Sequence, residues 1–201
     1  KGNEIALEVI FEKSPSTDLI GIALSNGKET FYIPVGHSGM ADQLPAKEVF
    51  KALTPVLSDM DIKKYVYDLK TTLVILDGLA IRAADDLQLA AYLLNPAKSS
   101  YHLDEVAWEY LHERVSAPGA VSGGKGKNYT LVSVPVDKMT AYAGQRADAL
   151  YKLAPVLTDQ LQNTDAMDLY SKVEMPLLHV LVDMEKKGVL IDSALLKQMS
   201  T

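Results

Sequence analysis

Glu8 is the most informative chemical group in this sequence. It lies inside the run Ile5-Ala6-Leu7-Glu8-Val9-Ile10-Phe11, in which all the other residues are apolar. A continuous apolar run with β-branched residues is typical of a strand buried on both faces of a sheet. A buried carboxylate needs a cationic partner, a metal ion or a proton, because an isolated buried charge is very costly. The groups that surround Glu8 in the fold therefore decide its chemistry.

Residues 116–128 contain a second set of candidates. Within this segment, Gly119–Lys125 has the spacing of a phosphate-binding loop, but Gly126 stands where a Ser or Thr must bind magnesium. We therefore interpret the segment as a surface loop, in which Lys125 and Lys127 can contact a phosphate.

The other candidates have simpler explanations than catalysis. The histidines at positions 37, 102, 112 and 179 are not spaced as zinc ligands, so we predict ordinary surface or partly buried residues. Asp85 and Asp86 begin a predicted helix, where a carboxylate stabilises the positive end of the helix dipole. Capping explains this pair at least as well as chemistry does.

The elements that must position these residues follow a simple order. The predicted strands are residues 5–11, 19–24, 29–35, 63–67 and 79–82, and the predicted helices are residues 46–57, 69–76, 86–94, 103–112 and 138–162, the last interrupted at Pro155. A meander of strands followed by strands alternating with helices predicts an α/β domain with a mixed central sheet flanked by helices.

The sequence becomes more strongly apolar and helical in pattern after Asp165. Residues 167–187 form a strongly apolar predicted helix, kinked or restarted at Pro176 and ended by Gly188. Asp192 is predicted to cap one more helix. We assign residues 1–163 to one domain, and residues 164–201, a C-terminal helical extension, to the junction and first helices of another.

Composition limits the classes of function. The 201 residues carry a net charge of −6, whereas proteins that bind nucleic acid by themselves are usually basic, so weak or no binding to DNA is expected of this chain alone. The absence of cysteine excludes disulfides and fits a reducing cytoplasm. No apolar run approaches the roughly 20 residues that span a membrane, so no membrane partner is expected. Because the first residue is Lys1, we expect a piece of a longer protein.

Several stretches together resemble one family. They are residues 19–23 and 32–35, the helix 86–96, the loop 124–128, and the segments 174–177 and 184–192. These stretches resemble the 3′-5′ exonuclease domain of bacterial family A DNA polymerases, the DNA polymerase I family. The resemblance covers essentially the whole chain and implies an RNase H-like fold.

Active members of that family hold two divalent metal ions with four carboxylates, since several anions must converge on a pair of cations. Their first motif, Asp-x-Glu, corresponds here to Ala6 and Glu8, so that the Asp is replaced. Their second motif places an Asp at the position of Thr72, with Asp68 or Asp77 as alternative alignments. The resemblance thus implies that two of these ligands are missing.

The third motif of the family, Tyr-x-x-x-Asp, corresponds to Tyr142 and Arg146. Arginine keeps its proton in proteins, so Arg146 would repel a divalent cation and could instead form an ion pair with Glu8. We therefore interpret Ala6, Glu8, Thr72, Tyr142 and Arg146 as vestigial positions without bound metal.

The leading interpretation is a catalytically silent proofreading domain that supports the polymerase part of a longer chain in DNA replication and repair. The expected partners are the remainder of that chain and, through it, DNA. No cofactor is expected in this fragment, although the parent polymerase would need magnesium. The alternatives are an active 3′-5′ exonuclease that uses Glu8 with Asp68 or Asp86, and a module that binds a primer end or a protein without hydrolysis.

Overall fold

The computed structural model describes residues 3–12, 18–39, 42–122 and 130–200. The strands are β1 Asn3–Phe11, β2 Leu19–Ser25, β3 Thr30–Pro34, β4 Ile62–Val66 and β5 Ala84–Asp86. They form one sheet in the order β3-β2-β1-β4-β5, with β1 at its centre. β2 and β3 are antiparallel to their neighbours, whereas β4 and β5 run parallel to β1. The predicted mixed sheet is therefore confirmed.

Helices cover both faces of this sheet and form the C-terminal part. They are α1 Ala46–Leu57, α2 Leu69–Ile75, α3 Leu87–Leu94, α4 Leu103–Leu111, α5 Pro118–Ser122, α6 Val136–Asn163, α7 Met167–Leu169, α8 Met175–Lys187 and α9 Ser193–Met199. A π-helical turn, Tyr170–Glu174, joins α7 to α8. It immediately precedes the predicted discontinuity at Pro176. None of the helices within the described ranges is long and apolar enough to cross a membrane.

The alternation of side chains along β1 divides the core in two. Leu7 and Val9 pack in one cluster with residues of α1, α2 and α8. Ala6 and Ile10 pack on the opposite face, in clusters built largely by α6. Because side chains two residues apart share a face of the sheet, Glu8 must point toward α6.

The strand predicted at residues 79–82 is wrong, because the fifth strand is Ala84–Asp86. Leu79 and Ile81 alternate as in a strand, but they are buried in the α1 and α2 cluster without pairing to the sheet. The backbone of Ala83, at φ +50, turns the chain into register with β4.

The interruption predicted at Pro155 is also wrong, because α6 continues through it to Asn163. A proline inside a helix costs about 3 kcal/mol. Leu150, Leu153 and Leu157 of the same helix are fully buried, and each contributes about 1.5–3 kcal/mol. The sum exceeds the cost, so the helix persists.

The loop predicted over residues 116–128 contains the short helix α5. Lys125 and Lys127, the predicted phosphate contacts, lie outside the described residues.

Gly27 occupies the turn between β2 and β3 at φ +77, and a Cβ built there would lie 2.3 Å from Cε1 of Tyr151. Gly39 has the same φ of +77 but open space around it. We expect Gly39→Ala to cost about 1–2 kcal/mol, the strain of a left-handed residue. Gly27→Ala should cost at least about 1 kcal/mol more, because the Tyr151 ring must also move. Urea unfolding of both variants measures the difference, and equal costs would show that Tyr151 yields freely.

His37 anchors the segment before α6 to β3. Its Nδ1 lies 3.1 Å from the carbonyl oxygen of Val134, so this nitrogen must carry the proton and donate it. Its Nε2 therefore accepts from the Tyr32 hydroxyl at 2.7 Å. Burial lowers the pKa of His37 below its ordinary value, although the bond to Val134 partly opposes this.

Because the unfolded chain binds a proton at His37 more readily than the native one, the native state should lose stability as pH falls below about 6.5. His37→Asn keeps a donor for Val134 but cannot titrate. Its melting temperature should therefore decline less than that of the wild type between pH 7.5 and 5.5. Parallel pH profiles for the two proteins would show that His37 is not held in its neutral form.

Candidate functional site

Glu8 lies where parallel pairing in the centre of the sheet stops. β1 pairs with β4 as far as Leu7 and Val66, while Glu8 still pairs with Ala23 of β2 on its other side. The Glu8 residue is only 5% exposed. Its carboxylate therefore sits at the carboxyl end of β4, below α6.

Arg146 reaches this carboxylate from α6. Its Nε donates a hydrogen bond to Oε1 of Glu8 at 2.5 Å, and the two side chains are 12% and 7% exposed. Charge-assisted bonds of this kind are about twice as strong as neutral ones. The structure thus supplies Glu8 with a cationic partner from the protein itself.

Aromatic and acidic neighbours complete the surroundings of Arg146. The guanidinium carbon lies 5.4 Å from the centre of the Tyr142 ring, within the range of a cation–π contact. Burial by itself would lower the pKa of Arg146, but the charge of Glu8, the bond to Glu8 and the electrostatic effects of Tyr142 and Asp104 outweigh it and raise that pKa. Arg146 therefore stays a cation.

Tyr67 also belongs to this region, and its hydroxyl donates to the carbonyl oxygen of Tyr101 at 2.8 Å. Burial, its largest influence, raises the pKa of Tyr67, while the charge of Arg146 opposes this. Neither Tyr67 nor Asp104 was singled out from the sequence, because no motif connects them to Glu8. Only their electrostatic coupling to Arg146 in the fold places them here.

The other two positions that the sequence predicts to be vestigial provide no charge. Ala6 shares the face of Glu8 and is fully buried in the cluster that contains Leu150. Thr72 is buried in α2, and its N–H donates to the carbonyl of Asp68. The structure therefore brings Glu8, Tyr142 and Arg146 into contact, with Ala6 on the same strand and Thr72 on a separate helix.

The alternative carboxylates are engaged in structural bonds. Asp86 accepts from the backbone N–H groups of Leu69, Gln88 and Leu89, which joins the first turns of α2 and α3. Asp68 accepts from the N–H and hydroxyl of Thr71. Asp68 and Asp86 thereby cap α2 and α3, and the cap predicted at Asp192 is confirmed.

Asp77, the remaining alternative, forms an ion pair with Lys186, and its side chain is 73% exposed. The hydrogen bond and charge of Lys186 lower the pKa of Asp77. It lies at the surface and contributes nothing to the surroundings of Glu8.

The donor set around Glu8 does not fit a pair of divalent cations. Within residues 3–12, 18–39, 42–122 and 130–200, no three His, Asp or Glu side chains converge as metal ligands. The carboxylate at the centre is bound to a guanidinium, whose charge opposes a metal ion. Magnesium demands several oxygen ligands in near-octahedral geometry, and these residues do not provide them.

We expect Glu8→Gln to destabilise the fold by about 3 kcal/mol, because it leaves Arg146 buried without its counter-charge. Replacing both partners, as Glu8→Leu with Arg146→Met, should recover most of that loss, since no buried charge remains. Urea unfolding of Glu8→Leu, Arg146→Met and the double variant measures the coupling between the two side chains, and Glu8→Gln is measured in the same way.

A surface pair provides the control for this experiment. Glu113 pairs with Lys152 of α6, with side chains 47% and 43% exposed, so Glu113→Gln should cost less than about 1 kcal/mol. If Glu8→Gln costs no more than Glu113→Gln, the buried ion pair does not stabilise the domain.

Comparison with known proteins agrees with this architecture. The family model described as "DNA polymerase I, ribonuclease H-like domain" matches residues 5–153. DNA polymerase I of Chloroflexus aurantiacus is 33% identical over 193 residues, which cover 92% of this chain and 20% of that protein. DNA polymerase I of Bacillus subtilis is 31% identical over 196 residues, covering 96% of this chain and 21% of that protein. The chain therefore spans about a fifth of these relatives.

Solved structures show the same fold. The POL domain of Pol1 from M. smegmatis, in complex with DNA primer-template and dNTP, superposes with a TM-score of 0.73 at 25% identity, covering 98% of this chain and 30% of that one. RNase D of Escherichia coli has a TM-score of 0.70 at 16% identity, covering 94% of this chain and 46% of that one, which shows the fold alone. The predicted RNase H-like fold is confirmed. On the matching family model and the relatives together, the chain belongs to the ribonuclease H-like domain family of DNA polymerase I.

Proposed function

We propose that this chain is a catalytically silent proofreading-type domain that supports the polymerase part of a DNA polymerase I in replication and repair. The observation that carries this proposal is the buried bond from Arg146 to Glu8. Nuclease chemistry by the resembling family needs two cations at this place, and the residues here already neutralise Glu8 with a fixed positive charge.

Opposite charges balance at Glu8 without a metal ion. In the resembling family four carboxylates are offset by two divalent ions. Here one carboxylate is offset by one guanidinium, and the methyl group of Ala6 and the hydroxyl group of Thr72 add no charge. The Glu8–Arg146 pair is thus neutral without any metal, and a cation would first have to displace Arg146 from Glu8.

The supporting role follows from how the C-terminal helices are attached. We assign residues 1–163 to the exonuclease-like domain and residues 164–201 to the junction with the polymerase part. Leu178 and Val182 of α8 are buried in the core cluster that contains Leu7. Lys70 of α2 forms an ion pair with Glu185 of α8. This attachment would hold the junction in a fixed orientation.

Partners follow from the same assignment. The remainder of the polymerase chain is the direct partner, and DNA is reached through it, since a chain with a net charge of −6 should bind DNA weakly. Magnesium would serve the polymerase part, and the cytoplasm is the compartment in which such an enzyme would act.

A nuclease assay tests the proposal. The chain is incubated with end-labelled single-stranded DNA and magnesium or manganese, and no cleavage above background is expected. Cleavage that disappears in Glu8→Ala would overturn the proposal in favour of an altered metal site. A salt-sensitive shift of the DNA without cleavage would instead identify a binding module.

Restoring carboxylates gives the matched comparison. In the variant Ala6→Asp/Thr72→Asp/Arg146→Asp, saturating manganese should raise the melting temperature by roughly 5 °C, while the wild type should not respond. If the triple variant does not fold, Arg146→Asp alone is compared with Arg146→Met under the same conditions. A wild type that manganese stabilises as strongly as the variant would contradict the proposal.

A further inference from the structure

A cleft of about 400 Å³ lies between α3 and α8, and neither Glu8 nor Arg146 lines it. Its apolar wall is formed by Leu89 and Tyr92 on one side and by Leu177 and Leu181 on the other. Tyr92, Leu177 and Leu181 are each more than 40% exposed. The volume is that of a site for a small ligand or a few side chains.

Charge in this cleft is unbalanced. Asp68, Asp86 and Glu174 line it, together with Lys70. Lys70 forms an ion pair with Glu185. The cleft is therefore acidic as well as apolar.

Glu174 differs from the other two carboxylates. Asp68 and Asp86 accept hydrogen bonds within the first turns of α2 and α3. Glu174 is partly buried, yet in the described part of the chain it makes no hydrogen bond or ion pair. A carboxylate that lines an apolar cleft without a partner is available to a cation from outside.

The apolar surface continues from the cleft along the C-terminal helices. Val180 and Met184 of α8 are 53% and 63% exposed, and Val189 and Leu190 beyond it are 89% and 99% exposed. Apolar surface of this extent marks an interaction site. The relatives of this chain are about five times as long, and in a protein of that length further polypeptide would be available to cover this surface.

We propose that this cleft is a docking site for an apolar segment of the polymerase part that carries an arginine or lysine, whose cation pairs with Glu174 and packs against Tyr92. The docking would fix the orientation of the polymerase part through a single ion pair with Glu174 in apolar surroundings. This inference rests on the proposed function, because it takes the occupant from the parent chain.

Benzamidinium and benzamide provide a matched pair of probes, since they have the same shape and differ in charge. Benzamidinium should bind the 201-residue chain at least about 10-fold more tightly than benzamide, because a hydrogen bond to a charged group contributes about 1.5–3 kcal/mol. Glu174→Gln should weaken benzamidinium about 10-fold and leave benzamide unchanged. Tyr92→Leu should weaken it about threefold through loss of the cation–π contact.

Asp168→Asn is the control, because Asp168 is an exposed carboxylate of α7 outside the cleft. It should leave benzamidinium binding unchanged. Chemical shift changes of the cleft residues in titrations measure all of these affinities. Equal binding of the two probes, or equal binding by wild type and Glu174→Gln, would overturn the proposal.

The source of the occupant is tested in the longer parent chain. There the cleft should be filled, so benzamidinium should not bind. Binding of equal strength to the parent and to the 201-residue chain would overturn the assignment to the polymerase part. So would self-association of the 201-residue chain that Glu174→Gln abolishes, because the occupant would then be a second copy. Nuclease activity with unchanged probe discrimination would refute the silent-domain proposal alone.

Discussion

The neutralisation of one buried carboxylate constrains the centre of this domain. Glu8 lies on the central strand and is 5% exposed, so its charge must be balanced within the fold. Arg146 provides that balance from α6. Because α6 is long enough to cross β1, β2 and β3, it places residue 146 above residue 8. The bond therefore couples the central strand to the helix that covers it.

The need to balance a carboxylate within the fold also applies to the acids that were alternative metal ligands. Asp86 accepts from three backbone N–H groups and fixes how α2 and α3 begin. Asp77 pairs with Lys186 at the surface and attaches α8. In each case the acid is satisfied by neighbours in the fold, so carboxylates that a motif search would select as metal ligands hold helices in place.

Glu174 is the exception, and it lies at the start of α8, in the segment that we assign to the junction with the polymerase part. Glu174 is partly exposed and makes no hydrogen bond or ion pair in the described part of the chain, so it is available to a cation that arrives. The two carboxylate sites therefore differ. Glu8 has its counter-charge within the domain, whereas Glu174 has no partner in the described part of the chain. This asymmetry fits a part that supports a larger enzyme.

The sequence by itself determined the boundaries of α1 and the cap at Asp192, because these depend on local periodicity and short-range hydrogen bonds. Its order of strands and helices also indicated the mixed sheet. It also identified Glu8, as a charge within an apolar run, and Arg146, through its departure from a family pattern. It misplaced β5 and broke α6 at Pro155, since burial over many residues outweighed the local signals. Only the tertiary structure decided the distance between Glu8 and Arg146, the proximity of Tyr67 and Asp104 to Arg146, and the cleft at Glu174. These depend on residues far apart in the chain, and local pattern contains no information about how such residues meet.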